Sequence, residues 1–409
     1  MKRLTACILM LTLCALLLPA GAEGLWGLLF GGSAGPAIRF EPLPEEIFIT
    51  ENTRVIGADG EGRMLLMTNT QDLWLWDRLE SHRVPVSFAR QEDAEVIGEA
   101  CINLVLQTGW RDLKKDERTA KRQELADRQA AWLAERGQTV FANLDQISEL
   151  YDRLAVPGFQ ILGLNERYAL VAMNRLAGAL ALDLATGKAF LIPGQRQPTA
   201  LRGKTVLTMD GLVAADTGED LAAGWPDHWQ EEYGWCYPAA LSGNDTALFI
   251  ATEKSYSPEE QEIRLAAVSA GSVRALTLGR AVRQPRNVLV SADGGHALVY
   301  NNALRHEPAW LVNLESGEIV ELRIGQYMPV AAAEVGFLCM DIDAWQPVIL
   351  DPEDGTPQAV ALNRGFDWSV MDMVAMSSLV RGANGRFFCS AGVRGGTAYV
   401  HGYFVLDGE

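Results

Sequence analysis

The sequence predicts an all-β fold made of repeated antiparallel sheets, and three observations support this class. A short phrase recurs along the chain, in which an apolar run ends in an apolar residue followed by Asp, Asn or Ser, with Gly close behind. The apolar runs are short and separated by turn residues, and they do not alternate with helices as βαβ units would. Hydrophobic residues make up 48% of the chain and charged residues 21%, which excludes a largely disordered protein.

The repeated phrase occurs seven times. A short side-chain oxygen caps its own turn and Gly supplies a positive φ, so each phrase predicts a reversal between two antiparallel strands. The marked pairs are Trp76-Asp77, Leu182-Asp183, Ala215-Asp216, Val268-Ser269, Val312-Asn313, Leu350-Asp351 and Leu406-Asp407.

The spacing of the phrase predicts a β-propeller. Five of the six gaps between marked residues lie between 33 and 56 residues, which is compatible with four-stranded blades that repeat every ~40 to 45 residues. We therefore predict one seven-bladed propeller over residues 37–409, with six or eight blades as alternatives. Paired β-sandwiches are the structural runner-up, but no linker divides the chain.

Three segments carry a resemblance to known propellers. The segment from Ala58 to Asp77 and the segment SADGGHALVYNN, from Ser291 to Asn302, resemble the S-x-D-G-x-x-L motif of WD40-like, TolB-type repeats. LDLATGK, from Leu182 to Lys188, resembles the D-x-x-T-G-K turn of quinoprotein-like and YVTN-type propellers. The resemblance implies a propeller fold and no particular activity.

The last repeat ends at Leu406-Asp407, so its blade would lack an outer strand. Ala37-Ile38-Arg39-Phe40 is a short strand candidate without a blade of its own. We expect this segment to pair with the last repeat, because the pairing removes an exposed sheet edge.

The long gap after the first repeat predicts a helical insertion at 92–157. Apolar residues from Val96 to Val105 follow helical spacing, and Asn143 with Gln146 resembles a capping box. Between them, residues 111–136 contain eight Lys/Arg and six Asp/Glu. This predicts three helices, of which the charged one is either a solvated helix with i,i+4 ion pairs or a docking arm for a partner.

The N-terminus predicts export. A basic start at Met1-Lys2-Arg3, an apolar run from Leu4 to Leu18 and small residues at Ala20-Gly21-Ala22 are typical of a signal peptide over residues 1–22. Residues 23–36 would form a flexible lead-in, and an uncleaved membrane anchor is the alternative. We expect a secreted or extracytoplasmic monomer.

Four cysteines would remain after cleavage, and they show no C-x-x-C spacing. This favours buried small hydrophobic residues over zinc ligands or disulfides. They are Cys101, Cys236, Cys339 and Cys389.

Charge and local motifs limit the function. The formal net charge of −17 argues against nucleic-acid binding. Gly31 to Gly35 spells a nucleophile elbow around Ser33, but no strand and helix flank it. Asp351 to Gly355 is better explained as a hairpin turn than as a calcium loop. Five histidines lack metal-ligand spacing; they are His82, His228, His296, His306 and His401. The sequence thus predicts no catalytic residue, metal or cofactor.

One aromatic and acidic window is the best candidate site. Aromatic rings beside carboxylates can bind a sugar or a cationic peptide, although aromatic packing in an inter-blade loop explains the same text. The candidate platform consists of Trp225, Asp227, Trp229, Glu231, Glu232, Tyr233 and Trp235.

Together these features predict an exported, non-catalytic β-propeller that acts as a binding scaffold for a protein or a small ligand in the cell envelope or outside the cell. A protein or glycan partner could contact the helical insertion. The alternative is an extracytoplasmic hydrolase or lyase that acts on a glycan or peptide with acids at the mouth of the channel.

Overall fold

A computed structural model describes most of the chain, while the predicted signal peptide, the lead-in and Ser33 lie outside the described residues. The described residues are 37–42, 53–58, 63–68, 72–76, 81–109, 113–151, 159–173, 178–221, 225–243, 246–252, 259–269, 271–301, 307–322, 325–333, 335–341, 343, 346–362, 371–372, 386–393 and 399–407.

The described strands form seven sheets, five of them built from four antiparallel strands that are consecutive in the chain. The first strand, β1 (Ala37–Pro42), belongs to the last sheet. Sheet 1 contains β2 (Thr53–Ala58), β3 (Met64–Thr68), β4 (Leu73–Trp76) and β5 (Ser81–Val84). Sheet 2 contains β7 (Phe159–Leu164), β8 (Tyr168–Met173), β9 (Gly178–Asp183) and β10 (Lys188–Pro193), with β6 (Ser87–Phe88) parallel to β10 as a fifth strand.

Sheets 3 to 6 repeat the four-stranded arrangement. Sheet 3 contains β11 (Ala200–Arg202), β12 (Thr205–Leu207), β13 (Leu212–Ala214) and β14 (Asp220–Leu221). Sheet 4 contains β15 (Trp235–Leu241), β16 (Ala247–Thr252), β17 (Gln261–Ser269) and β18 (Ser272–Ala281). Sheet 5 contains β19 (Asn287–Val290), β20 (His296–Tyr300), β21 (Ala309–Asn313) and β22 (Ile319–Leu322). Sheet 6 contains β23 (Tyr327–Ala333), β24 (Gly336–Asp341), β25 (Gln346–Leu350) and β26 (Pro357–Ala359).

Sheet 7 joins the two ends of the described chain. Its strands, in spatial order, are β28 (Met371–Asp372), β29 (Arg386–Val393), β30 (Tyr399–Asp407), β1 and β27 (Ala361–Leu362). β1 pairs antiparallel with β30 over its whole length, from Ala37 opposite Asp407 to Pro42 opposite Gly402. The predicted pairing of the N-terminal strand with the last repeat is therefore confirmed, and β27 adds a short parallel strand outside it.

The predicted strand reversals are confirmed where the structure describes them, and the predicted side-chain cap is present in sheets 2, 5 and 6. Asp183 accepts hydrogen bonds from the backbone N–H groups of Ala185 and Thr186, at 2.9 and 3.2 Å. Asn313 and Asp351 make equivalent bonds in sheets 5 and 6. The glycine that closes each turn has a positive φ, as at Gly187 (69°) and at Gly218, Gly271, Gly317 and Gly355.

Three helices lie between β6 and β7, and they fall in the predicted range 92–157 except that the first begins one residue before its start. They are α1 (Gln91–Gly109), α2 (Lys115–Ala134) and α3 (Leu144–Tyr151). Ile97, Leu133 and Ile147 of these helices share one apolar cluster with side chains of sheets 1 and 2, such as Leu65 and Leu180. The helices therefore contribute to the core. Within the described ranges, no helix combines the length and the apolar character needed to cross a bilayer.

An ion pair at the start of α1 bonds to β10 of sheet 2, beyond the two residues that pair with β6. The buried carboxylate of Asp93 accepts hydrogen bonds from Arg90 (2.9 Å) and from the backbone N–H of Leu191 in β10 (3.1 Å). Arg90 also donates to the carbonyl oxygen of Leu191 at 3.2 Å. Both polar backbone groups of Leu191 are thereby satisfied, which covers part of the sheet edge.

The core lies between neighbouring sheets. Leu265 of β17 and Trp310 of β21, for example, are completely buried in the same cluster between sheets 4 and 5. The first strands of sheets 2 to 6 contact one another in chain order. β29 of sheet 7 contacts both β23 and β2, and β2 contacts β7, so the series of contacts returns to its start.

Candidate functional site

The first strands of five sheets surround a cavity of about 440 Å³. One apolar residue from each strand illustrates its wall, namely Leu162 of β7, Leu201 of β11, Ala239 of β15, Val288 of β19 and Ala332 of β23. Pockets of roughly 300 to 1,000 Å³ with apolar walls and a few polar groups are typical of small-molecule sites.

β-Bulges shape the cavity wall. β7 and β15 each contain an extra residue relative to the neighbouring strand, between Ile161 and Gly163 and between Pro238 and Ala240. The extra residues, Leu162 and Ala239, are the ones that line the cavity. β2 and β23 contain bulges as well. A bulge redirects side chains, so this irregularity turns part of each strand towards the central space.

Gly163 allows β7 and β11 to approach each other beside the cavity. A Cβ atom on Gly163 would lie 2.7 Å from the Cβ atom of Leu201 and 3.1 Å from its backbone nitrogen. The backbone of β7 can therefore pack against the Leu201 side chain of β11 only because Gly163 has no side chain. A Gly or Pro inside a strand pattern indicates a bulge or a close approach, and that signal is visible in the sequence of β7.

The polar side chains of the cavity lie where several first strands end. Asn165 follows β7, Arg202 ends β11 and Ser291 follows β19. Among the described residues that line the cavity, Arg202 is the one that carries a charge. Its Nη1 donates to the carbonyl oxygen of Leu241 over a long 3.5 Å, and no described carboxylate lies within 4.0 Å of it.

Asn165 and Ser291 serve the turns in which they lie. Asn165 donates to the carbonyl oxygen of Gly203 at 2.7 Å, and its own oxygen accepts from two backbone N–H groups. Ser291 donates to Asp293 at 2.5 Å and accepts from the backbone N–H of His296. Two hydrogen bonds lower the pKa of Asp293: the one from the Ser291 hydroxyl has the larger effect, and the one from the backbone N–H of Gly295 the smaller. This arrangement is the turn encoded by the S-x-D-G phrase.

Thr199 is a further polar lining residue. Its hydroxyl oxygen is buried, and the described residues supply no hydrogen-bond partner for it. Leaving such a group unsatisfied costs about 1 to 3 kcal/mol, so a water molecule or a ligand group in the cavity would be stabilising there.

The predicted aromatic platform is divided between core and surface. Trp229 is only 7% exposed and packs on Phe249 of β16, with ring centroids 4.8 Å apart. Trp225 packs on the same ring from 5.6 Å. These two rings therefore contribute to the interface between sheets 3 and 4, which is the packing role that the sequence left open.

The rest of the platform is more accessible. Trp235, at the start of β15, is 42% exposed and lies 5.6 Å from the ring of Tyr237. Asp227, Glu231 and Glu232 are exposed around the short helix α4 (Trp229–Tyr233), and Tyr233 is half-buried. Ligand binding by this set stays a prediction.

The charged helix α2 forms ion pairs both within itself and with α1. Lys121 bonds to Glu124 at 2.5 Å, and Arg122 pairs with Glu99 of α1. The guanidinium of Arg136 stacks 3.5 Å above the ring of Trp132. These contacts fit the solvated-helix interpretation, while a partner for the helices stays a prediction.

The other candidate groups have structural surroundings. Cys101, Cys236 and Cys339 are buried free thiols, as expected, and burial raises the pKa of Cys101 to about 12 and that of Cys236 to about 11. The side chain of Cys389 lies outside the described residues. Asp351 begins a turn that Gly355 closes. Within the described ranges, no three His, Cys, Asp or Glu side chains converge as metal ligands would.

Comparison with solved structures gives several propellers. The chain is similar to the β-propeller domain of Cps50 (Swd1) from Myceliophteria thermophila, with 10% identity, 87% of this chain and 96% of that chain covered and a TM-score of 0.39. It is also similar to AztD from Citrobacter koseri, with 14% identity, 76% and 86% coverage and a TM-score of 0.34. A third is an oligogalacturonate lyase in complex with manganese, with 9% identity, 92% and 99% coverage and a TM-score of 0.38.

The structural neighbours are β-propellers. No protein-family model and no curated protein matches the sequence.

Proposed function

We propose that the seven sheets are the blades of one closed seven-bladed propeller, with α1 to α3 inserted after its first blade. Two observations support this architecture. The contacts among the first strands return to their start through sheet 7. In addition, β1 pairs with β30, so strands from the two ends of the described chain complete one blade.

We propose further that this propeller is an exported binding protein that holds a small, largely apolar ligand in its central cavity. The observation that supports it is the cavity itself, with apolar walls from five first strands and few polar groups. Within the alternative of a hydrolase or lyase, a glycoside hydrolase would need a pair of carboxyl groups at the mouth. Among the described lining residues, none is acidic.

Export is supported by the sequence of residues 1–22. The chain expressed with its own leader in a bacterial host should be recovered with Glu23 at its N-terminus, as determined by mass spectrometry. Recovery of a chain that retains the leader in the cytoplasm would contradict the export part of the proposal.

Cavity binding is tested with a neutral apolar probe, 1-octanol, in a ligand-observed NMR titration of the mature chain. Ala239→Phe on β15 and Ala332→Phe on β23 fill the cavity from two different walls. Ala275→Phe, on the outer strand β18, is the matched control because it adds the same ring to a half-buried Ala outside the cavity.

The expected result is saturable binding of 1-octanol to the native chain and to the control variant, and a loss of at least about tenfold in affinity for both cavity variants. Circular dichroism and thermal melting check that the variants fold. Equal binding by the native chain and by folded Ala239→Phe and Ala332→Phe would place the probe elsewhere and refute the proposal.

A further inference from the structure

We propose that the ligand of the central cavity carries a single carboxylate, which Arg202 binds, on an otherwise apolar body. This inference rests on the proposed cavity function and specifies the class of ligand. Its basis is the contrast between the mostly apolar walls and the one charged side chain among the described lining residues.

The position of Arg202 suits an anchor for the charged end of a ligand. It is the last residue of β11, beside Leu201, and it lines the cavity together with Leu241 and Ser291. The guanidinium reaches from sheet 3 across to sheet 4, where its Nη2 lies 3.2 Å from the point that a Cβ atom on Gly243 would occupy. An apolar ligand body between the first strands would thus end at this group.

Arg202 also differs from the arginines that support the fold. Arg274 of β18 donates to three carbonyl oxygens in the turn between β21 and β22, at 2.6 to 3.2 Å. Arg167 binds the carboxylate of Asp183 at 2.9 Å. For Arg202, the bond to Leu241 is long, and a guanidinium has five N–H donors. Its donors are therefore available to a ligand.

The chemistry of this group favours a carboxylate. The fork of N–H donors matches the two oxygens of a carboxylate, and one positive charge balances one negative charge. The other lining side chains are mostly apolar and, apart from the neutral Asn165, Thr199 and Ser291, offer no polar groups, so a compact or highly charged anion would lose its hydration without sufficient compensation. An apolar monocarboxylate satisfies both the wall and the guanidinium.

The test compares two probes with the same chain length, octanoate and 1-octanol, at pH 7 by ligand-observed NMR. The native chain should bind octanoate on the order of tenfold more tightly than 1-octanol, because a charge-assisted bond is added. Arg202→Met and Arg202→Gln should lose this preference and keep their affinity for 1-octanol. Arg283→Met, which removes an exposed arginine on the loop after β18, should behave as the native chain does.

The outcomes separate the two proposals. If the native chain binds neither octanoate nor 1-octanol, cavity binding itself is refuted. Equal affinities of the native chain for the two probes would leave cavity binding intact and overturn the carboxylate inference. A tenfold preference that survives in both Arg202 variants would also overturn it. Retained binding of 1-octanol by an Arg202 variant shows that its cavity is intact. Two neutral replacements, Met and Gln, are used so that the test still works if one variant does not fold.

Discussion

The turns after the third strands and the first strands around the cavity differ in how they are specified. In sheets 2, 5 and 6 this turn is built from five consecutive residues, in which an oxygen-bearing side chain caps the turn and a Gly with positive φ closes it. The cavity instead takes one wall from each of five sheets. The turns therefore repeat with the sequence, whereas the cavity is formed by strands that are distant in the chain, two of which line it with a bulge residue.

The turns also participate in contacts between sheets. A Cβ atom on Gly187 would lie 2.1 Å from the carbonyl oxygen of Pro85, and one on Gly355 would lie 2.4 Å from the side chain of Leu322 in the preceding sheet. Gly271, at the same turn position in sheet 4, has no neighbour within 4 Å. The same residue type thus has a purely conformational role in one turn and an additional packing role in others.

The largest expected effect separates these two roles. Gly187→Ala should lower the free energy of unfolding by about 3 kcal/mol, because the left-handed backbone is unfavourable for Ala and its methyl group collides with a backbone oxygen. Gly271→Ala, which has a similar φ, should cost about 1 kcal/mol. Urea unfolding of both variants measures the difference. Equal losses would show that the turn glycines are not packing positions.

A second substitution tests the contact between β7 and β11 beside the cavity. Gly163→Ala should cost about 2 kcal/mol, because its methyl group would overlap Leu201 and push β7 away from β11. The same displacement should weaken 1-octanol binding. Gly211→Ala is the control, since Gly211 lies outside the cavity lining and has open space around it. An unchanged affinity of Gly163→Ala for 1-octanol would argue against a wall formed at this contact.

The smallest effect concerns the charge of a turn residue. Burial opposes ionisation of Asp183, but Arg167 and two backbone N–H groups outweigh it and lower its pKa. A lowered folded-state pKa stabilises the fold above the unfolded-state value of about 3.9 and loses that contribution as the pH falls through the folded-state pKa. Asp183→Asn should therefore cost less than about 1 kcal/mol at pH 7, with the difference vanishing in acid.

Asn313 shows that an Asn can replace Asp at this position, because it caps the equivalent turn of sheet 5 by accepting the same two backbone hydrogen bonds. Asp183→Asn should accordingly keep the turn, whereas Asp183→Ala should lose both the cap and the charge. Urea unfolding between pH 3 and pH 7 distinguishes them. A loss for Asp183→Asn that persists unchanged at pH 3 would show that the carboxylate charge is not its cause.

The contrast also explains what the sequence could predict. The turns, the three helices and the pairing of Ala37–Pro42 with the last repeat follow from local turn chemistry, helical spacing and an unpaired edge. The sequence could not separate Trp229, which packs on Phe249, from the exposed Trp235 in the same window, because burial depends on which sheet faces each ring.

Arg202 left no recognisable motif. It stands in a three-residue strand, and the groups around it come from Leu241 and Ser291 in two other sheets. The bulges can be recognised in the sequence, because a Gly or Pro interrupts the strand pattern at Gly163 and Pro238. Recognising them as cavity residues requires knowing that these two strands lie first in their sheets.

The most direct measurement is a crystal structure of the mature chain with 8-bromooctanoate, in which anomalous scattering locates the bromine. Bromine between the first strands, near Leu162 and Ala239, with the carboxylate on the guanidinium of Arg202, is the predicted result. Bromine on the helices or at the Trp235 surface, with the cavity free of the probe, would contradict the account.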